Sequence, residues 1–140
     1  AVLDSLWKAL KPGGTLVIEE PDFTVYRGLS GQEVQAFNNV HQAILQMYHA
    51  KGVDASMGSK LPMLFQELGA KDIVVENDSP IVRGGTGIAA MMNLSAVQLK
   101  EKYLATGEVS ASDLEAYDRF SRDPAAWAIY YATIGAVGRK

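Results

Sequence analysis

The chain has 140 residues, 48% of them hydrophobic and 21% charged, which is enough apolar content for one folded domain. A net charge of −3 with scattered basic residues leaves no electrostatic footprint for nucleic acid, and the lack of cysteine excludes disulfides, thiolate metal sites and thiol nucleophiles. No apolar run reaches the roughly 20 residues of a membrane span and no signal peptide is visible, so the expectation is a cytoplasmic protein with neither a nucleic-acid nor a membrane partner.

The first element predicted is an amphipathic helix over residues 1–10, with Val2, Leu3, Leu6, Trp7 and Leu10 at helical spacing. The sequence opens inside this helix, with neither an initiator Met nor an entry loop. A fragment of a longer protein is therefore expected. Lys11 suits the carbonyl-rich end of the helix, Pro12 cannot continue it, and Gly13-Gly14 permits a tight turn. Thr15–Ile18 is short, apolar and β-branched, as a strand buried on both faces should be. It runs into Glu19, Glu20 and Asp22 around Pro21. Alternation puts Glu20 and Asp22 on one side if the strand persists.

An aromatic-rich loop (23–29) follows. Ser30-Gly31-Gln32-Glu33 reads as a capping box that opens a helix to about Lys51, stopped by Gly52. His41 and His49 lie on that helix, about 12 Å apart along its axis, too far to share one metal. The next helix is predicted over 59–68, with Pro62 tolerable only in its first turn. Asp72–Glu76 reads as the second strand, and Ile81 and Val82 could extend it past a bulge. Arg83-Gly84-Gly85-Thr86-Gly87 reads as a turn. A short helix follows over 87–93, with Met91 and Met92 as core filler. Two further capping boxes, Ser95-Ala96-Val97-Gln98 and Ser112-Asp113-Leu114-Glu115, open helices to about Thr106 and Ser121. Trp127–Val137 reads as one final strand. The order is α-β-α-α-β-α-α-α-β, an α/β fold.

Leu10-Lys11-Pro12-Gly13-Gly14 before a hydrophobic strand resembles the late motif of class I S-adenosylmethionine-dependent methyltransferases, where a helix enters the fifth strand of a seven-stranded Rossmann-like sheet. Residues 64–75 (Leu-Phe-Gln-Glu-Leu-Gly-Ala-Lys-Asp-Ile-Val-Val) and 134–140 are similar to later parts of the same half. The resemblance implies the last three strands of that sheet, with the final strand antiparallel between the other two. It implies one domain over 1–140, with the helices of 83–124 as an insert or lid on the substrate side. It also implies S-adenosylmethionine as cofactor and a small-molecule substrate. The family's glycine-rich turn after its first strand has no counterpart here: no G-x-G-x-x-G occurs. The cofactor is expected to bind mainly to a missing N-terminal half, with no cofactor-binding residue and no metal ligand in this chain, and the fragment alone is expected to be inactive.

A sulfonium methyl donor is already activated, so such an enzyme needs mainly to position its acceptor. The Glu19, Glu20 and Asp22 cluster has three readings: substrate binding or deprotonation, a divalent cation, or a solvated strand end. Glu20, Asp22, Phe23, Tyr26 and Arg83 are the candidate substrate-binding residues. His41 is the candidate general base, since an imidazole titrating near neutrality can accept a hydroxyl proton. The other class of function is a non-catalytic dimerisation or small-molecule-binding module, with a homodimer through the exposed edge of strand 15–18. A nicotinamide-dependent reductase is disfavoured: Lys51 follows Tyr48 by three residues, not the four of a Tyr-x-x-x-Lys pair.

Overall fold

A computed structural model describes residues 2–140; the predicted first helix includes Ala1, which lies outside the described residues. The elements are α1 (Val2–Ala9), β1 (Thr15–Asp22), a 3-10 turn (Phe23–Val25), β2 (Arg27–Ser30), α2 (Val34–Ala50), α3 (Met57–Glu67), β3 (Lys71–Asp78), β4 (Val82–Arg83), α4 (Gly87–Gln98), α5 (Lys100–Leu104), α6 (Ala111–Arg122), β5 (Trp127–Ile129) and β6 (Ala132–Arg139). They form two compact units. One comprises residues 2–22, 56–78 and 132–140; the other comprises 23–55 and 79–131.

The first unit is a three-stranded sheet in the order β1-β6-β3, with β6 antiparallel to both neighbours. This is the strand order and sense that the resemblance implies. The expectation of a strand buried on both faces is corrected. β1 runs eight residues and alternates: Leu16 and Asp22 are buried, whereas Val17 is 59% exposed. The reason is that α3 covers one face of the sheet, with Leu61 and Phe65 against Leu16 and Ala136. Glu20 and Asp22 share the parity of Leu16, so they lie on the covered side, as alternation predicted.

The Lys-Pro-Gly-Gly turn joins α1 to β1 and is bonded to Lys140. Gly13 has φ +79°, a conformation that glycine adopts without a Cβ penalty. Its amide donates to the Lys140 carbonyl, and the Lys140 amide donates to the Gly14 carbonyl. The Lys140 ammonium donates to the carbonyls of Trp7 (2.7 Å), Leu10 (2.9 Å) and Lys8 (3.3 Å) at the end of α1. The helix predicted over 59–68 begins two residues earlier, so Pro62 falls beyond the first turn. There it withholds only the N–H that would bond Gly58. The second strand extends to Lys71–Asp78. A bulge between Lys71 and Val74 holds Asp72 at φ 53°, and Asp72 pairs with Arg139 at 2.8 Å.

The second unit contains a sheet that the sequence reading did not anticipate: β2-β5-β4, antiparallel throughout. Two corrections follow from it. The predicted strand over 127–137 is two strands in different sheets, because Tyr130, after β5, is buried in the aromatic core of the second unit. Val82 does not extend β3 but belongs to β4. Helices α2, α4, α5 and α6 cover this sheet's core, with Phe37, Ile44, Met92, Tyr103, Tyr117 and Phe120 buried in one cluster.

The three capping boxes fare differently. Ser30 ends β2 instead of opening a helix, and its Oγ donates to the Ala125 carbonyl. Glu33 takes the cap position of α2 at φ 67° without capping it, and its carboxylate binds Arg119 Nε and Nη2 at 2.8 and 2.6 Å. Ser95 lies inside α4, where its Oγ donates to the Met91 carbonyl one turn back. The third box is real but displaced by two residues: the Ser110 hydroxyl accepts from the Asp113 amide and the Asp113 carboxylate accepts from the Ser110 amide. Of the two methionines read as core filler, Met92 is buried and Met91 is 46% exposed.

Candidate functional site

The candidate residues divide between the two units. Glu20, half-buried, and Asp22, buried, occupy the carboxyl end of β1 in the first. Phe23, Tyr26, His41 and Arg83 belong to the second, where Tyr26 and His41 join one group of stacked rings and Phe23 another. Phe23 lies edge-on to Tyr48 and tilted against Tyr131, both with ring centroids at 5.3 Å. Tyr26 stacks on His41 at 4.8 Å, and its hydroxyl accepts a hydrogen bond from Gln42 Nε2. His41 in turn lies 4.2 Å from Phe37 and 5.7 Å from Tyr130.

His41 is 1% exposed. Its Nδ1 lies 2.9 Å from the Phe37 carbonyl, so Nδ1 carries the proton and Nε2 is left as an acceptor. Among the described residues Nε2 has no hydrogen-bond partner. Burial lowers the pKa to about 4, opposed only in part by the nearby backbone of Phe37 and Tyr130. The imidazole is therefore neutral at pH 7. In the same core, burial pushes the Tyr117 phenol well up, opposed in part by the Ser121 hydroxyl beside it.

Arg83 is exposed on β4. The glycines after it form the turn that the sequence suggested. The Gly84 and Gly85 amides donate to the carbonyls of Ala126 and Ser121, at 3.0 and 2.7 Å, so neither is free to cradle a phosphate. A Cβ on Gly84 would stand 2.2 Å from the Asp123 carbonyl oxygen, which is why glycine is required there.

A groove of about 410 Å³ between α4 and α6 was not foreseen. It is lined by Ala96, Val97 and Leu114 together with the charged Lys100, Glu115 and Arg119. Asn93, 8% exposed, donates to Asp118 at 2.6 Å, and Asp118 also accepts from Arg122 at 3.0 Å. The Asn93 bond and the arginines hold the Asp118 carboxyl below its usual value. An asparagine within an otherwise apolar helical run was the one signal that could have found it. A second groove, of about 500 Å³, lies in the first unit between α1 and α3 and is mostly apolar. Among the described residues no group of three or more His, Asp or Glu side chains could hold a metal ion, and no helix is long and apolar enough to cross a membrane.

No protein-family model matches the chain, and no curated protein does. Among solved structures it is similar to phospholethanolamine N-methyltransferase 2 of Haemonchus contortus, in complex with phosphomonomethylethanolamine and S-adenosylhomocysteine. The identity is 17% and the TM-score 0.42; the likeness covers 99% of this chain and 29% of that one.

Proposed function

We propose that the chain is the substrate-side portion of an S-adenosylmethionine-dependent methyltransferase acting on a small molecule. One observation carries this reading. A helix ending in Leu-Lys-Pro-Gly-Gly feeds a strand that pairs antiparallel with the last strand of the chain, which in turn pairs antiparallel with β3. That is the motif and the strand order together, and the motif alone is short.

The cofactor's site is not made by these residues. Gly84 and Gly85, after β4, spend their amides on backbone carbonyls, and the sequence has no G-x-G-x-x-G motif. The cofactor half is assigned to a part of the protein outside these 140 residues. This chain's share is acceptor recognition, for which each unit by itself offers candidates: in the first Glu20 and Asp22 at the carboxyl end of β1, where open α/β sheets bind ligands, and in the second Phe23, Tyr26 and Arg83 with the helices of 83–124. His41 supports Tyr26 by stacking.

The test is methyl transfer by the product of the full reading frame on a panel of small hydroxyl, amine and carboxylate acceptors. Tyr26→Ala and Asp22→Asn are expected to raise KM for the acceptor about tenfold and to leave cofactor affinity unchanged, the loss of one buried hydrogen-bonding or stacking contact. Unchanged KM in both variants would remove these residues from the acceptor site.

A further inference from the structure

We infer that the groove between α4 and α6 binds a small organic ammonium ion with an apolar tail, its nitrogen held by Asn93 Oδ1, Asp118 Oδ2 and the Glu115 carboxylate. Every residue that lines the groove belongs to the second unit. The strands that the proposed function assigns elsewhere would extend the sheet of the first unit, and no wall of the groove belongs to that sheet. Asn93 is the starting point. It lies on α4 beside Ala89, Met92 and Ala96, which are core residues, and is itself 8% exposed. A buried amide is costly unless its polar atoms are bonded. Its Nδ2 donates to Asp118 Oδ1 at 2.6 Å. An ionised carboxylate can only accept, so the amide nitrogen faces Asp118 and Oδ1 is turned elsewhere. Among the described residues no donor reaches that oxygen, and Asn93 lines the groove.

Asp118 repeats the pattern. Asn93 Nδ2, Arg122 Nε and Arg122 Nη2 all reach the same oxygen, Oδ1, at 2.6, 3.0 and 2.9 Å. Among the described residues Oδ2 receives none of them, and Asp118 also lines the groove. Its carboxyl is held below the usual range by Asn93 and Arg122, so it is ionised at neutral pH. Glu115, three residues earlier on the same face of α6, adds a second carboxylate. Two acceptor oxygens beside a further carboxylate match a donor that carries positive charge and several N–H groups, which is a protonated amine. Two carboxylates are too few to cage a metal ion, and no metal-binding group of three occurs among the described residues. Arg119 does not fill the seat, since its Nε and Nη2 both bind Glu33 Oε1. The rest of the lining suits a tail. Ala96, Val97, Ala111 and Leu114 are apolar, and Ala111 to Asp118 spans about 10 Å along α6. The volume of about 410 Å³ fits a small ligand.

The inference does not rest on the methyltransferase reading, because binding is measured without cofactor and without transfer. Its test is a calorimetric titration at pH 7 of hexylammonium chloride, hexan-1-ol and hexanoate into the product of the full reading frame. The three probes share one tail and differ at the head. Hexylammonium is expected to bind saturably at one site, and the alcohol and the carboxylate at least tenfold more weakly. Asp118→Asn keeps an oxygen for Arg122 and removes the charge, and is expected to weaken hexylammonium binding about tenfold. Val97→Trp acts at a position that is 63% exposed, so it fills the groove without disturbing the core. It is expected to abolish binding with an unchanged far-ultraviolet spectrum. A wild type that does not bind hexylammonium, hexan-1-ol binding as tightly as the amine, or amine binding that survives both substitutions would overturn the site. Cofactor affinity, the test of the methyltransferase reading, is a separate measurement.

Discussion

Burial holds the His41 pKa near 4, against 6.5 for a free imidazole, and this has a definite consequence for stability. Between pH 6.5 and 4 the unfolded chain binds a proton at this position and the folded chain does not. Stability is therefore complete above pH 6.5, falls as pH is lowered through this window, and levels off below about 4. The loss from this one residue is on the order of 3 kcal/mol. His41→Phe keeps the ring in the aromatic assembly and removes the titration. Urea unfolding midpoints of the two proteins should diverge as pH falls from 7 to 4, with wild type the more sensitive; parallel curves would mean that His41 is not neutral in the fold. Gly84 makes a second prediction at this scale. A methyl group there meets the Asp123 carbonyl oxygen at 2.2 Å, backbone against backbone. Gly84→Ala should cost about 3 kcal/mol in chemical denaturation, toward the upper end for overpacking because no flexible side chain can give way.

Helix ends show where local signals suffice and where they do not. The Ser110–Asp113 box is closed at both bonds, so Ser110→Ala should cost about 1 kcal/mol of stability. Equal stability of wild type and variant would mean that water replaces the cap at no cost. At α1 the cap comes from the far end of the chain, where Lys140 donates to three carbonyls. Lys140→Met should weaken α1 by about 1 kcal/mol, seen as roughly fivefold faster hydrogen exchange at its amides. No sequence pattern announces that contact. The S-x-x-E motif is likewise a statement about four residues only. Ser30 satisfies it, but pairing with β5 claims Ser30 for a strand, and Arg119 claims Glu33 for an ion pair. The turn and strand at residues 10–18 were legible because Pro, two glycines and a β-branched run restrict the backbone by themselves. The environment of His41 was not, because the side chains that bury it include Tyr117 and Tyr130, remote in sequence.

At the largest scale, six strands among the described residues fall into two sheets, whereas the hydrophobic pattern suggested three strands. The run from Trp127 to Val137 shows why. Its residues favour β-structure throughout, and propensity carries no information about which sheet a strand joins. The position of the last strand between β1 and β3 was foreseen only through the family resemblance, since register and neighbours are set by contacts across more than a hundred residues. The same strand order, downstream of the Lys-Pro-Gly-Gly turn, carries the proposal of a methyltransferase portion whose cofactor half lies elsewhere. The most direct test is a calorimetric titration of S-adenosylmethionine into the product of the full reading frame, with the 140-residue chain as control. Saturable binding to the longer protein and none to the chain alone is the result expected. Binding to neither, or a reading frame without further residues before this chain, would contradict it.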